Sequence, residues 1–273
     1  MTRSIIQKDF KRNRYIYLMA LPVLAYYLLF HYQPMYGAII AFKDFTPAKG
    51  ILGSPWVGLK HFHTFFTGPY AFRLIRNTFL ISFYELIFGF PAPLLLAILL
   101  NEVLATRYKR VIQTLSYLPH FISLVVICAL IKNFTASTGL VNDIIAFFFG
   151  EKARSTLLQD PSNFRTVYVV SGIWQGVGWG SIIYLAAISK IDQQLYEAAI
   201  IDGAGRFARM LHVTLPGILP TIIIMLILRM GSLMSVGFEK VFLLYNSGIY
   251  ETADVISTYV YRRGIIDTDW SFS

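Results

Sequence analysis

The sequence predicts an all-α polytopic membrane protein, and three observations predict it. Hydrophobic residues make up 56% of the 273 and charged residues only 14%. Several apolar runs also approach or exceed the roughly 20 residues a helix needs to cross a bilayer. A soluble domain carries about 25% charged residues. The net charge of +9 raises nucleic acid as a partner. The Lys and Arg residues, however, gather beside the apolar runs, as cytoplasmic loops do, so a lipid bilayer and no nucleic acid is expected. The single cysteine, Cys128, lies inside an apolar run. It excludes an internal disulfide framework and any multi-cysteine metal site, and it reads as a small buried apolar residue.

Residues 1–14 hold Arg3, Lys8, Lys11, Arg12 and Arg14, a basic tail expected in the cytoplasm; 15–273 then form one transmembrane domain. The first span is 15–32, too long for a signal-peptide core and followed by no small-residue cleavage site. An aromatic interfacial stretch follows at 33–45. The second span, 74–100, contains Glu85, Pro91 and Pro93. The prolines should kink it, and Glu85 must line a polar pathway or meet a partner side chain, two readings that both stay open. Residues 101–112 are short and basic. The third span is 113–134, with Pro119 and His120 inside it. His120 reads as an interhelical hydrogen bonder.

The second outer loop, 136–165, includes an apolar piece at 140–149 that is too short to span and should lie along the membrane surface or against a partner subunit. The fourth span, 164–189, carries Gly172, Gly176 and Gly180 at spacings of four, a small-residue helix-packing pattern. Trp174, Gln175 and Trp179 are interleaved. An indole face suits a sugar ring and an amide suits its hydroxyls, with tight packing as the competing reading. The fifth span is 217–237. Arg229 within it needs water or a partner, and Glu239 follows near the outer boundary. Segments 1–14, 101–113 and 190–216 hold 11 Lys and Arg in 54 residues, against 13 in 122 for segments 34–76, 132–165 and 229–273. That density places the N-terminus and the 190–216 loop in the cytoplasm.

The 190–216 loop is the most informative stretch. Asp192 is a good N-cap for a helix over 193–201, the two alanines leave one face thin, and Gly203 can end the helix in a left-handed turn. A second short amphipathic helix is expected over 206–212, and Pro216 marks the start of the next span. Glu197, Ala198, Ala199, then Asp202 and Gly203, then Val213, Leu215 and Pro216 together resemble the signature loop of inner-membrane permeases of bacterial ABC importers, with Val213 where that family usually has Ile. A further string, Tyr32-Gln33-Pro34-Met35-Tyr36-Gly37 leading into Ala41-Phe42-Lys43-Asp44, resembles the carbohydrate-uptake permeases, in the branch for polysaccharide fragments that is labelled LplB-type. Gly58 to Phe62, Asn77-Thr78, Gly237 to Glu239 and Phe242 to Asn246 fit the same pattern.

The resemblance implies a type I ABC importer permease fold in the bacterial cytoplasmic membrane and transport of sugars, oligosaccharides above all, by alternating access. It implies a second homologous permease, two ATPase subunits that dock on the 190–216 loop, and an extracytoplasmic solute-binding protein. Five transmembrane helices are present, and the family's sixth would be missing at the C-terminus, so a truncated subunit is expected. On this reading the coupling residues are those of the signature loop, and the pathway residues come from Glu85, Trp174, Gln175, Trp179, Arg229 and Glu239.

The chain has no Gly-x-x-x-x-Gly-Lys-Ser/Thr stretch, so no cofactor is expected in it. ATP and Mg belong to the partner ATPase. A permease for a non-sugar solute (an amino acid, phosphate or osmolyte) is the alternative. A membrane enzyme would need clustered catalytic groups. His31, His61, His63, His120 and His212 are scattered, so no catalytic residue and no metal site are expected.

Overall fold

The computed structural model describes residues 10 and 12–273. Most of the basic tail, including Arg3, Lys8 and Lys11, therefore lies outside the described residues. Four helices among the described residues are long and apolar enough to cross a membrane: α1 (Arg14–Phe42), α2 (Ala71–Glu102), the run Leu124–Phe149, and α6 (Phe164–Ile188). A fifth crossing forms if α8 (Arg206–Gly217) and α9 (Leu219–Gly231), bent by 63° at Ile218, are one span. The chain divides into two compact units, residues 1–69 with 260–273, and residues 70–259.

In the first unit, α1 runs ten residues beyond the predicted span, because Tyr36–Phe42 continues it as a 3-10 helix. Pro34 falls in the first turn of the short helix Gln33–Met35, where its missing N–H is tolerated. No residue in the apolar window of α1 is buried within the chain. After α1 the chain turns on one isolated bridge between Lys43 and Trp56. Phe42 stacks on Trp56 at 5.7 Å, and the His61 ring meets the Lys43 carbonyl at 3.1 Å. The Ser271 hydroxyl accepts from the Phe45 N–H at 2.8 Å, joining the two sequence-distant parts of this unit.

The second unit is built around α6. Inside a bilayer, helix association depends on close packing and hydrogen bonds, since lipid is as apolar as leucine. One end of α6 places Phe164 and Tyr168 in a cluster with Ile81, Ile127, Val241, Ile249 and Val255. The other places Tyr184 and Ile188 with Ala97, Ile98 and Ile218. Between these ends, glycine decides how near the neighbours come. A Cβ on Gly178 would lie 2.1 Å from the Ser116 carbonyl oxygen, and one on Gly180 would lie 2.9 Å from the Pro93 ring. A Cβ on Gly176 would touch nothing within 4 Å. The expected stripe of Gly172, Gly176 and Gly180 is therefore changed at one member: Gly172 and Gly180 admit neighbouring groups, Gly176 meets none, and Gly178 makes the closest approach, to the backbone at the end of α3 (Thr106–Tyr117).

The third span also differs from its expectation. The helix does not run through 113–134. Thr106–Tyr117 ends in a 3-10 turn at Leu118–Phe121, and α4 (Leu124–Thr135) begins with the Ser123 hydroxyl accepting from the Val126 N–H. Pro119 has no N–H to continue the ladder, and Ser123 is a competent cap, so the chain restarts. The apolar piece at 140–149 is a helix, α5 (Leu140–Phe149). Fully buried Asn142 anchors the turn before it by donating to the Ala136 and Ser155 carbonyls at 2.7 Å each.

Asn77 clamps one end of this unit. Its amide donates to the Glu251 and Asp254 carbonyls at 2.8 and 3.0 Å, and its oxygen accepts from Arg165 at 2.8 Å. The Thr78 hydroxyl accepts from the Ile256 N–H at 3.1 Å.

Gly178→Ala should lower the melting temperature of the detergent-solubilised protein, by a cost of about 1–3 kcal/mol for an overpacked interface. Gly176→Ala should be neutral or slightly stabilising through helix propensity. Equal effects at both positions would show that the close approach at Ser116 does not matter.

Candidate functional site

Two places in the 70–259 unit carry groups that local folding alone does not explain: a charged cavity beside α6, and the loop between α6 and α9.

The cavity starts from the sequence of α2. Pro91 removes a backbone donor, and the helix answers with a π-helical turn over Glu85–Gly89 just before it, the Phe90 N–H reaching the Glu85 carbonyl. Such single-turn π-bulges re-aim side chains and are frequent at functional sites. Here the carboxylate of Glu85 meets Nη2 of Arg229, in the last turn of α9, at 2.7 Å. Both line a cavity of about 440 Å³ with Phe90, Pro93, Tyr184 and Ser232. Arg229 keeps 39% of its side chain exposed and Glu85 23%. A third charge stands behind that wall, next to Gly172. Lys240, in α10 (Phe238–Leu244), is buried and donates to the Tyr168 carbonyl at 2.9 Å. It also lies over the Tyr168 ring at 4.6 Å. A methyl placed on Gly172 would come within 3.2 Å of the Lys240 Nζ and 3.8 Å of a Glu85 oxygen. The absence of that methyl leaves the gap in which these charges face one another.

Of the six residues expected along a pathway, the structure brings Glu85 and Arg229 together and leaves the others apart. Trp174 lines a separate, mostly apolar cavity of about 400 Å³ with Ile131, Val141 and Val170. Trp179 stacks on His120 at 4.6 Å with rings 3° from parallel. Gln175 is half-buried on α6 and Glu239 is exposed in the first turn of α10. The sequence alone assigns Lys240 no role. Its signal is a lysine placed three residues after a glycine at the end of a span.

The loop folds as its local signals dictate. α7 (Gln193–Ile201) begins where the Asp192 carboxylate accepts from the Gln194 N–H at 2.9 Å. It ends in a Schellman turn: Gly203 sits at φ +77° and bonds Ile200, and the Ala204 N–H bonds the Ala199 carbonyl at 2.8 Å. Glu197, Ala198 and Asp202 are exposed and Ala199 is half-buried. The apolar residues Leu195, Ile200 and Phe207 are also exposed, and Ile201 keeps 85% of its surface open.

The base of the loop, in contrast, is fixed. Tyr196 and buried Thr214 hydrogen-bond through their hydroxyls at 2.9 Å. Ile191 closes on Gly217, where a Cβ would lie 2.7 Å from its side chain. Leu215 and Ile191 pack on the cluster of Tyr184, Ile188 and Ile218. Val213 is half-buried and Pro216 is exposed. The second short helix begins at Arg206 as expected, then widens into a π-helical turn over Met210–Thr214 and continues to Gly217. The loop is therefore an exposed, partly apolar crown on a rigid base.

The comparisons with known proteins agree across nearly the whole chain. A family model described as binding-protein-dependent transport system inner membrane component matches residues 89–251. Protein LplB of Bacillus subtilis (strain 168) is 48% identical over 264 residues, covering 96% of this chain and 82% of that protein. The polygalacturonan/rhamnogalacturonan transport system permease protein YteP of the same organism is 48% identical over 263 residues, covering 96% and 81%. A solved bacterial ABC transporter involved in the import of the acidic polysaccharide alginate superposes with a TM-score of 0.89 at 43% identity, over 98% of this chain and 90% of that one.

The Glu85–Arg229 pair should be energetically coupled. In a double-mutant cycle of Glu85→Gln and Arg229→Gln, read by thermal unfolding in detergent, a coupling of about 1–2 kcal/mol is expected for a half-exposed ion pair. A coupling near zero would make the two groups independent.

Proposed function

The chain belongs to the binding-protein-dependent transport system inner membrane component family, and we propose that it is the permease subunit that carries oligosaccharides through a bacterial ABC importer. It is a transporter subunit and not an enzyme. The observation that carries the substrate reading is the 48% identity, over 96% of the chain, to a permease for polygalacturonan and rhamnogalacturonan. The likeness to an importer of the acidic polysaccharide alginate supports the same class.

In this reading α7 is the coupling helix and docks on a separate ATPase, with ATP and Mg held there. The exposed crown of Leu195, Ile200, Ile201 and Phe207 gives that partner an apolar surface on which Glu197 is the single acid of the helix. The stapled base passes motion on. Tyr196 to Thr214 and Ile191 to Gly217 tie α7 to the start of the segment that carries Arg229. ATP binding by the partner favours one global state of the permease, and the solute enters from an extracytoplasmic binding protein on the opposite side. A second, related permease completes the pathway, and the N-terminus lies in the cytoplasm with the coupling loop.

Two substitutions test the docking role. Glu197→Lys reverses the charge of the crown, and Gly203→Pro forbids the left-handed turn that ends α7, since proline is held near φ −65°. Each should leave the chain in the membrane at normal abundance and abolish sugar uptake by the complete transporter. Uptake at the unmodified rate with either substitution would contradict a coupling role for this helix.

A further inference from the structure

We infer that the cavity beside α6 is a subsite for the carboxylate of an acidic sugar residue, with Arg229 as the group that recognises it. The inference rests on the oligosaccharide reading and narrows it to uronate-bearing chains. The charges carry it. Glu85 and Arg229 line the cavity, and buried Lys240 stands behind Gly172, one of its lining residues, so two cations lie about one carboxylate. An uncompensated positive charge inside a membrane protein is costly, and an anionic ligand removes that cost. A neutral sugar forms hydrogen bonds there but leaves the imbalance in place.

The geometry supports the same ligand. Glu85 engages Nη2 of Arg229, while 39% of the arginine side chain remains open. A guanidinium pairs with carboxylates through a planar two-pronged contact, and a uronate can share it with Glu85 or replace Glu85. Around this point half-buried Phe90 lines the cavity with aromatic surface, and the exposed Ser232 hydroxyl, whose proton goes to the Arg229 carbonyl at 3.1 Å, offers an acceptor. A cavity of about 440 Å³ falls in the ordinary range for small-ligand sites. Lys240 is held back by the Tyr168 carbonyl, so it biases the field of the site without contacting the ligand.

The test is equilibrium dialysis of the assembled permease–ATPase complex, without the binding protein, against radiolabelled trigalacturonate and its methyl ester, which has the same rings and no charge. The unmodified complex should bind the acid at least tenfold more tightly than the ester. Arg229→Gln should weaken the acid about tenfold or more and leave the ester within about twofold, so that the preference disappears. If Arg229→Gln fails to fold because Glu85 is left unpaired, the double variant Glu85→Gln with Arg229→Gln removes both charges and should show the same loss of preference. Equal binding of acid and ester by the unmodified complex, absence of binding of either, or a preference that survives Arg229→Gln would overturn the inference. Failure of the oligosaccharide reading itself shows separately, as a complete transporter that takes up no saccharide at all.

Discussion

The 70–259 unit depends on how closely other helices can approach α6. Lipid gives no hydrophobic drive to bring helices together, so the contact must come from shape. Gly178 lets the backbone at Ser116 rest on α6, Gly180 admits the Pro93 ring, and Gly172 leaves room for Lys240 and Glu85. Three missing side chains on one helix thus set the position of α3, the proline-rich half of α2, and the charged wall of the cavity. The apolar clusters at the two ends of α6 hold that arrangement in register.

A second consequence follows for the link between loop and cavity. α9 is 13 residues long, about 20 Å at 1.5 Å per residue. Its lower end begins beside Gly217, where Ile191 is packed, and its upper end carries Arg229. A helix of this length moves as a rigid rod more readily than it bends. In the function proposed above, α7 and the Glu85 pair sit at the two ends of one lever, the arrangement alternating access needs if ATP is to act on a distant pathway.

Local signals were legible in the sequence. Asp192 and Gly203 bound α7 at the positions their chemistry demands, and the Glu85 π-turn follows from a proline whose effect on α2 was expected. Pro119 was also visible, but its consequence was not. A proline inside an apolar run can kink a helix or end it, and only the cap at Ser123 and the packing of Ser116 on Gly178 select the ending. Tertiary pairings were out of reach. Glu85 and Arg229 are separated by 144 residues, and nothing in either neighbourhood names the other. Asn77 was noticed only as part of a family pattern. Its physical task, holding the Glu251–Asp254 turn and Arg165, appears only when the distant segments meet.

The most direct measurement is ATPase activity of the complete importer in proteoliposomes, with its binding protein present, across a panel of oligosaccharides, amino acids and phosphate. The account predicts that one class of oligosaccharide stimulates hydrolysis several-fold while amino acids and phosphate do not. Stimulation by amino acids or phosphate with no response to any saccharide would contradict it.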